Sequence, residues 1–178
     1  IVIVEVGGTV GDIEGQPFLE AIRQFLRESG VGNAISIHLT LVPHIKASGE
    51  IKTKPTQHSV QKLREIGIQP DILICRTESC LPREAREKIA LFGNVPDEAV
   101  IEGRDAESIY QVPLLLEGEG LSDLVVKLLN LQGEKPDLNK WAQFAGGVIR
   151  PQNHVKIAIT GKYVELHDAY KSIMESFV

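Results

Sequence analysis

Cysteine is scarce in this 178-residue chain: there are two, Cys75 and Cys80, with four residues between them. That spacing is neither a zinc-knuckle pattern nor a disulfide framework, and it suits a reducing cytosol. A long apolar run is missing too. Nothing approaches the ~20 residues that a membrane helix needs, and no signal-peptide pattern is visible. An excess of basic charge is also absent. Lys and Arg number 19 against 24 Asp and Glu, for a net charge of -5, so general nucleic-acid binding is not indicated. Local basic clusters remain able to meet phosphates. No internal repeat or low-complexity segment occurs. What is present is ordinary globular material: 43% hydrophobic and 24% charged residues. A chain of this size can bury roughly 70% of its unfolded surface.

Residue 1 is isoleucine and already lies in an apolar run, while the terminal "DAYKSIMESFV" stops inside an amphipathic helical pattern. The expectation is an internal piece of a longer protein.

Strand and helix patterns alternate along the chain. "IVIVEV" (1–6) reads as a strand buried on both faces. "PFLEAIRQFLRES" (17–29) reads as a helix, with apolar residues at helical spacing, Pro17 in the first turn and Gly30 at the stop. Strands are expected at 34–42, 71–77 and 99–102, and helices at 55–67 and 83–92. Residues 105–130 read as helical, interrupted at Pro113 and near Gly118 and Gly120. Such alternation predicts a parallel sheet with helices on its faces, and ligands bind beyond the carboxyl ends of its strands. The loops at 7–16, 43–54, 78–82 and 103–105 should therefore share one edge. Residues 1–130 form the first domain in this reading. A linker follows over 131–154, with a short helix around Trp141, and a new strand and second domain begin at 155–178.

Three segments carry chemistry. Glu5 ends an apolar strand pattern, which is how magnesium is held in nucleoside-triphosphate enzymes: one or two carboxylates, with waters and substrate phosphates completing the shell. A carboxylate paired with a nearby base is the plainer alternative. The glycines of "GGTVGD" permit positive φ and close backbone approach, and their amides can cradle an anion. Asp12 and Glu14 suit hydrogen bonds from sugar hydroxyls or base amino groups, or equally the capping of the next helix. In "GEIKTKPTQHS" (49–59), Lys52 and Lys54 flank Thr53 at a helix start. Open amides, a favourable helix dipole and two ammonium groups make an anion site there, although a solvated basic turn looks the same. Lys88 is by itself an ordinary surface lysine. "GRDAES" (103–108) either caps a helix through Asp105 or wraps a purine base with its backbone.

Read together, "EVGGTVGDIE", "PFLEAIRQ", "KTKPTQHSV", "GIQPDILICR", "KIALF", "SIYQVPLLL" and "GKYVELHDAYKS" closely resemble the CTP synthase family, in this order. The resemblance covers nearly the whole chain. It implies an α/β, P-loop NTPase-like amidoligase domain lacking its N-terminal P-loop segment, followed by the start of a glutamine amidotransferase domain. It implies ATP-dependent amination of UTP to CTP through a 4-phosphorylated UTP intermediate, with ammonia from glutamine. Mg2+ is the implied cofactor, ATP the co-substrate, GTP an allosteric activator and CTP a feedback inhibitor. A cytoplasmic homotetramer, with filaments as a further assembly, and no nucleic-acid or membrane partner follow from the same resemblance.

Residue by residue, the resemblance makes Glu5 a magnesium ligand. Asp12, Ile13 and Glu14 become contacts of CTP. Lys52, Thr53, Lys54, Pro55, Thr56, Gln57 and Lys88 hold UTP and CTP. Arg104, Asp105 and Ala106 contact ATP. No residue of the chain is implied to act as catalyst itself, and the piece alone is expected to be inactive, without an ATP phosphate grip or an ammonia source. Small departures from the family pattern occur at "GQPF" after Glu14, at His44 in place of tyrosine and at Gly93 in place of cysteine. Two other readings remain: a dethiobiotin-synthetase-like amidoligase, which would lack "KTKPTQHS", and a non-catalytic filament-forming paralogue, against which the intact Glu5, Lys52, Lys54 and Lys88 argue.

Overall fold

Proline and glycine punctuate the helices as their spacing predicts. The computed structural model describes residues 1–47 and 49–178, with His167 described by its backbone alone. Helix α1 (Gln16–Ser29) carries proline in its first turn and ends at Gly30, whose φ of 75° lies in the left-handed region open to glycine. Helix α2 (Lys54–Glu65) again begins with proline, where the missing N–H costs no intrahelical bond. Helix α3 (Arg83–Gly93) stops at Asn94, which turns left-handed at φ 54° and donates its N–H back to Leu91 and Ala90 carbonyls.

Between these helices run β1 (Ile37–Leu41), β4 (Ile72–Thr77) and β5 (Val100–Arg104), which form a parallel sheet in the order β1-β4-β5. Cys75 sits at its centre, opposite Thr40 on one side and Glu102 on the other. A short antiparallel hairpin, β2 (His44–Ile45) with β3 (Glu50–Ile51), follows β1.

Both faces of β4 and β5 are covered. On one, Val60 of α2 and Ile89 and Ala90 of α3 pack on Leu73, Cys75 and Val100. On the other, α4 (Val112–Gly118) and α5 (Leu121–Leu128) set Leu116, Leu121, Leu124 and Val125 against Ile72, Ala99 and Ile101. Each such buried aliphatic side chain stabilises by roughly 1.5–3 kcal/mol. Pro113 begins α4 instead of interrupting it, because proline is well suited to a first helical turn. A third cluster, Leu19, Leu63 and Ile68, ties α1 to the end of α2.

Two expected strands do not form. Residues 1–6 pair with nothing among the described residues, and Ile1 to Val4 are 74–96% exposed. An apolar run becomes a strand only where a neighbouring backbone takes its N–H and C=O groups, and here none does. The alternate face of β1 is open as well, with Ile37, Leu39 and Leu41 exposed. The segment from Val155 is likewise unpaired and mostly exposed.

The chain divides into two compact units, Ile1–Pro136 and Asp137–Val178. The second contains α6 (Asn139–Ile149) and α7 (Lys171–Glu175). Within α6, Trp141 and Phe144 pack with ring centroids 5.7 Å apart. Among the described residues no helix is long and apolar enough to cross a membrane.

Candidate nucleotide site

The first turn of α2 is built by threonines that face inward and lysines that do not. Thr56 is buried and donates its hydroxyl to the Leu41 carbonyl at 3.0 Å, which fastens the helix start to the carboxyl end of β1. Thr53 is buried too, and its hydroxyl accepts a hydrogen bond from Gln57 Nε2 at 3.0 Å. No side chain caps the helix N-terminus; Pro55 has no N–H and the Gln57 N–H donates to the Thr53 carbonyl, which leaves the Lys54 and Thr56 amides without a side-chain cap. Lys54 and Pro55 are exposed around them. Lys52 lies just before, with its N–H on the Pro43 carbonyl and its ammonium 2.6 Å from a Glu50 carboxylate. Exposed pairs of this kind are worth at most about 1 kcal/mol, so an incoming anion can draw Lys52 away from Glu50. Uncapped amides, the positive end of a helix dipole and two ammonium groups are a chemistry that can receive an anion. Lys88 is exposed on α3, one residue before the buried Ile89 and Ala90.

At the same carboxyl edge, the chain leaving β5 is tied to β4. The Asp105 N–H donates to Thr77 O at 3.0 Å, and the Asp105 carboxylate accepts from Arg76 Nε at 2.9 Å. Ala106 follows, half-buried. Arg104 is held from the other side: Nε lies 2.8 Å and Nη2 2.6 Å from Oε1 of Glu102. Burial opposes ionisation of Glu102 and is the largest single effect on it. The Leu81 N–H, the Arg104 guanidinium and the Cys80 thiol together outweigh it, and the carboxyl stays below its ordinary range.

The glycine-rich segment is closed by its own aspartate. Asp12 Oδ2 accepts the Thr9 N–H at 3.1 Å, and Gly8 and Gly11 take φ of 87° and 107°. Asp12 makes no side-chain cap on the turn of 3-10 helix that follows, Ile13–Gly15. Glu5, Val6, Gly7, Glu14, Gly15 and Phe18 line an open recess of about 310 Å³. A Cβ on Gly7 would lie 3.5 Å from Glu5 Oε1, in ordinary van der Waals contact with that carboxylate. Among the described residues no three acidic, histidine or cysteine side chains converge as a metal cage. Magnesium does not require one; it takes one or two hard carboxylate oxygens and keeps the rest for water and phosphate. Glu5, with Glu14 on the same recess, fits that donor chemistry.

The expectation that all four loops share one edge of the sheet is corrected. Val10 packs against the cluster that holds Leu63, in the last turn of α2, and a Cβ on Gly11 would lie 3.3 Å from the stem of Lys62 in the same turn, whereas Lys54 to Gln57 form the first. A helix of 12 residues is about 18 Å long. Because residues 1–6 do not join the sheet, nothing aligns the loop after them with the carboxyl edge. The structure therefore brings Lys52–Gln57 and Arg104–Ala106 to one edge and leaves Asp12 toward the other end of α2.

Four side chains that organise this edge carry no signal in the sequence: Arg76, Arg86, Glu102 and Glu119. Their partners lie 14 to 33 residues away in the chain, apart from Arg104 beside Glu102.

A parallel sheet covered by helices on both faces, with an uncapped basic helix start at its carboxyl edge, is the architecture of a P-loop-like amidoligase domain. Residues 1–131 match the family described as CTP synthase N-terminus, and the chain belongs to the CTP synthase family. It is 62% identical to the CTP synthase of Methanocaldococcus jannaschii over 178 residues, all of this chain and 33% of that protein. It is 60% identical to the CTP synthase of Geobacter sulfurreducens over 177 residues, 99% of this chain and 33% of that protein. Its identity to the CTP synthase of Synechococcus sp. strain JA-3-3Ab is 58% over 176 residues, 99% of this chain and 32% of that protein. The chain thus spans about a third of the length of the curated relatives it matches.

Proposed function

We propose that this chain is part of a cytoplasmic CTP synthase that aminates UTP with ammonia at the expense of ATP. In this reading ATP phosphorylates the 4-oxygen of the uracil ring, and ammonia released from glutamine in another part of the protein displaces the phosphate. GTP stimulates that release, CTP competes with UTP, and the working unit is a homotetramer.

The observation that carries the reading is the first turn of α2. Thr53 and Thr56 anchor it from inside, while Lys54 is exposed and the Lys52 side chain is 42% exposed. A triphosphate brings about four negative charges, and an ammonium meets each as a point charge on a flexible stem. Lys52 and Lys54 bind the UTP or CTP phosphates, with Lys88 as a further cation and Gln57 as a donor. Arg104, Asp105 and Ala106 orient ATP from the end of β5. Asp12, Ile13 and Glu14 contact the pyrimidine nucleotide. Glu5, with Glu14 beside it, would hold Mg2+, which when bound offsets phosphate charge during transfer.

The test uses the full-length protein carrying this chain, with CTP formation from UTP, ATP and ammonia followed by chromatography. Lys54→Ala should raise the KM for UTP more than tenfold while glutamine hydrolysis continues. Absence of ammonia-dependent CTP formation in the unaltered protein, or an unchanged KM for UTP in the variant, overturns the reading.

A further inference from the structure

Among the described residues Glu102 is the only buried carboxylate, 4% exposed. A buried charge is retained only where partners compensate the loss of water, so its partners indicate what it is for. Oε2 accepts the Leu81 N–H at 2.7 Å, which fixes the loop between β4 and α3. Oε1 accepts both Nε and Nη2 of Arg104. The Glu102 backbone is fixed in turn, since its N–H donates to Glu119 Oε2 at 3.0 Å. Gly103 allows the close approach beneath: a Cβ there would meet Ile74 Cγ2 at 3.1 Å. One rigid carboxylate on a strand therefore grips a half-exposed guanidinium and the neighbouring loop at the same time.

We infer that Glu102 is a positioning residue of the ATP site, holding the Arg104 guanidinium and the loop at Leu81 in the arrangement that receives the nucleotide. The inference rests on the assignment of Arg104–Ala106 to ATP. Arginine side chains carry about 2 kcal/mol of rotamer entropy. A free Arg104 would lose that freedom on binding ATP, whereas Glu102 removes it beforehand. Glu102 touches no reacting atom in this scheme, so its loss acts on ATP binding more than on the chemical step.

The experiment measures KM for ATP, KM for UTP and kcat in the full-length protein for Glu102→Gln, Arg104→Ala and the double variant. Glutamine preserves the shape and the acceptor for Leu81 but removes the charge that grips Arg104. Glu102→Gln should raise the KM for ATP about fivefold, with much smaller changes in kcat and in the KM for UTP. In the Arg104→Ala background the same change should add no further effect. If Arg104→Ala alone leaves the KM for ATP unchanged, the ATP assignment fails and the inference with it. If Arg104→Ala raises that KM but Glu102→Gln does not, or if Glu102→Gln acts equally in both backgrounds, the assignment stands and the positioning role is wrong. Should Glu102→Gln fail to accumulate as folded protein, Glu102→Asp, which keeps the charge but shortens its reach, is read by the same criteria.

Discussion

Arg86 and Glu119 together stand in for a missing strand along β5. β5 is the last strand of the sheet, so its outer backbone groups have no ladder partner there. Arg86 Nη1 donates to the Val100 carbonyl, and Glu119 Oε2 accepts the Glu102 N–H at 3.0 Å. Val100 C=O and Glu102 N–H point to the same side of the strand, as ladder groups two residues apart do. The two side chains are joined at 2.8 Å and are only 26% and 29% exposed. An open edge invites pairing with another chain. Here an ion pair between α3 and the end of α4 occupies it instead.

Breaking that pair should cost more than breaking a surface salt bridge. Arg86→Ala leaves Glu119 half-buried without its cation and the Val100 carbonyl without a donor. A loss of roughly 2–3 kcal/mol is expected, read as a shift of the urea midpoint at constant slope. Lys46–Glu78, whose partners are 80% and 54% exposed, is the comparison: Lys46→Ala should cost less than about 0.5 kcal/mol. Equal effects of the two substitutions would mean that the strand edge gains nothing from Arg86.

His38 predicts a pH dependence of stability. It is buried on β1 with Nε2 2.8 Å from Ser59 Oγ, and burial lowers its pKa below the ordinary value of 6.5. The folded state then binds fewer protons than the unfolded chain between the lowered value and 6.5. Its stabilising contribution is complete above that range and is lost as pH falls through it. The thermal midpoint should drop as pH is lowered from 7 to 5, and His38→Gln should flatten part of that slope. Parallel pH profiles for both proteins would show that His38 does not contribute.

The three helices at 16–29, 54–65 and 83–93 and the three sheet strands were legible because each carries its own punctuation: proline at the start, glycine at the stop, or a short β-branched run between turns. The apolar segments at Ile1 and Val155 were misread as strands, since an apolar run specifies hydrogen-bonding need without naming the backbone that meets it. The helix start at Lys52–Gln57 was legible because its parts are contiguous. Glu102 was not, because "AVIE" shows only a strand end, while the Leu81 and Glu119 groups that justify burying its charge come from distant segments. The sequence also left open whether Asp12 caps a helix or meets a ligand; in the structure its carboxylate accepts the Thr9 amide.

Glu5→Gln tests the proposed metal role. The substitution keeps the shape of the recess and removes one charge. Electrostatic stabilisation of a transferring phosphoryl group is worth several kcal/mol, so CTP synthesis by the full-length variant should fall by roughly two orders of magnitude. Glutamine hydrolysis should persist in part. Unchanged synthesis at limiting magnesium would make Glu5 structural.

The separation along α2 leads to the last prediction. Val10, two residues before Asp12, packs against the cluster that holds Leu63 in the last turn of the helix, while Lys54–Gln57 form the first. Along the helix axis Lys54 and Lys62 are about 12 Å apart, and we propose that the two segments reach one nucleotide from two subunits. Symmetry then gives every subunit the same exchange. Under the proposed tetramer, Lys52 or Lys54 of one subunit serves a UTP whose ring lies near Glu5 of another. Full-length Glu5→Ala and Lys52→Ala are each expected to be nearly inactive as pure assemblies. Mixed assemblies, verified by native mass measurement, should recover part of the activity, because some sites then combine an intact Glu5 with an intact Lys52. If verified mixtures stay as inactive as the pure variants, both residues serve one site from a single chain, and the shared site is excluded.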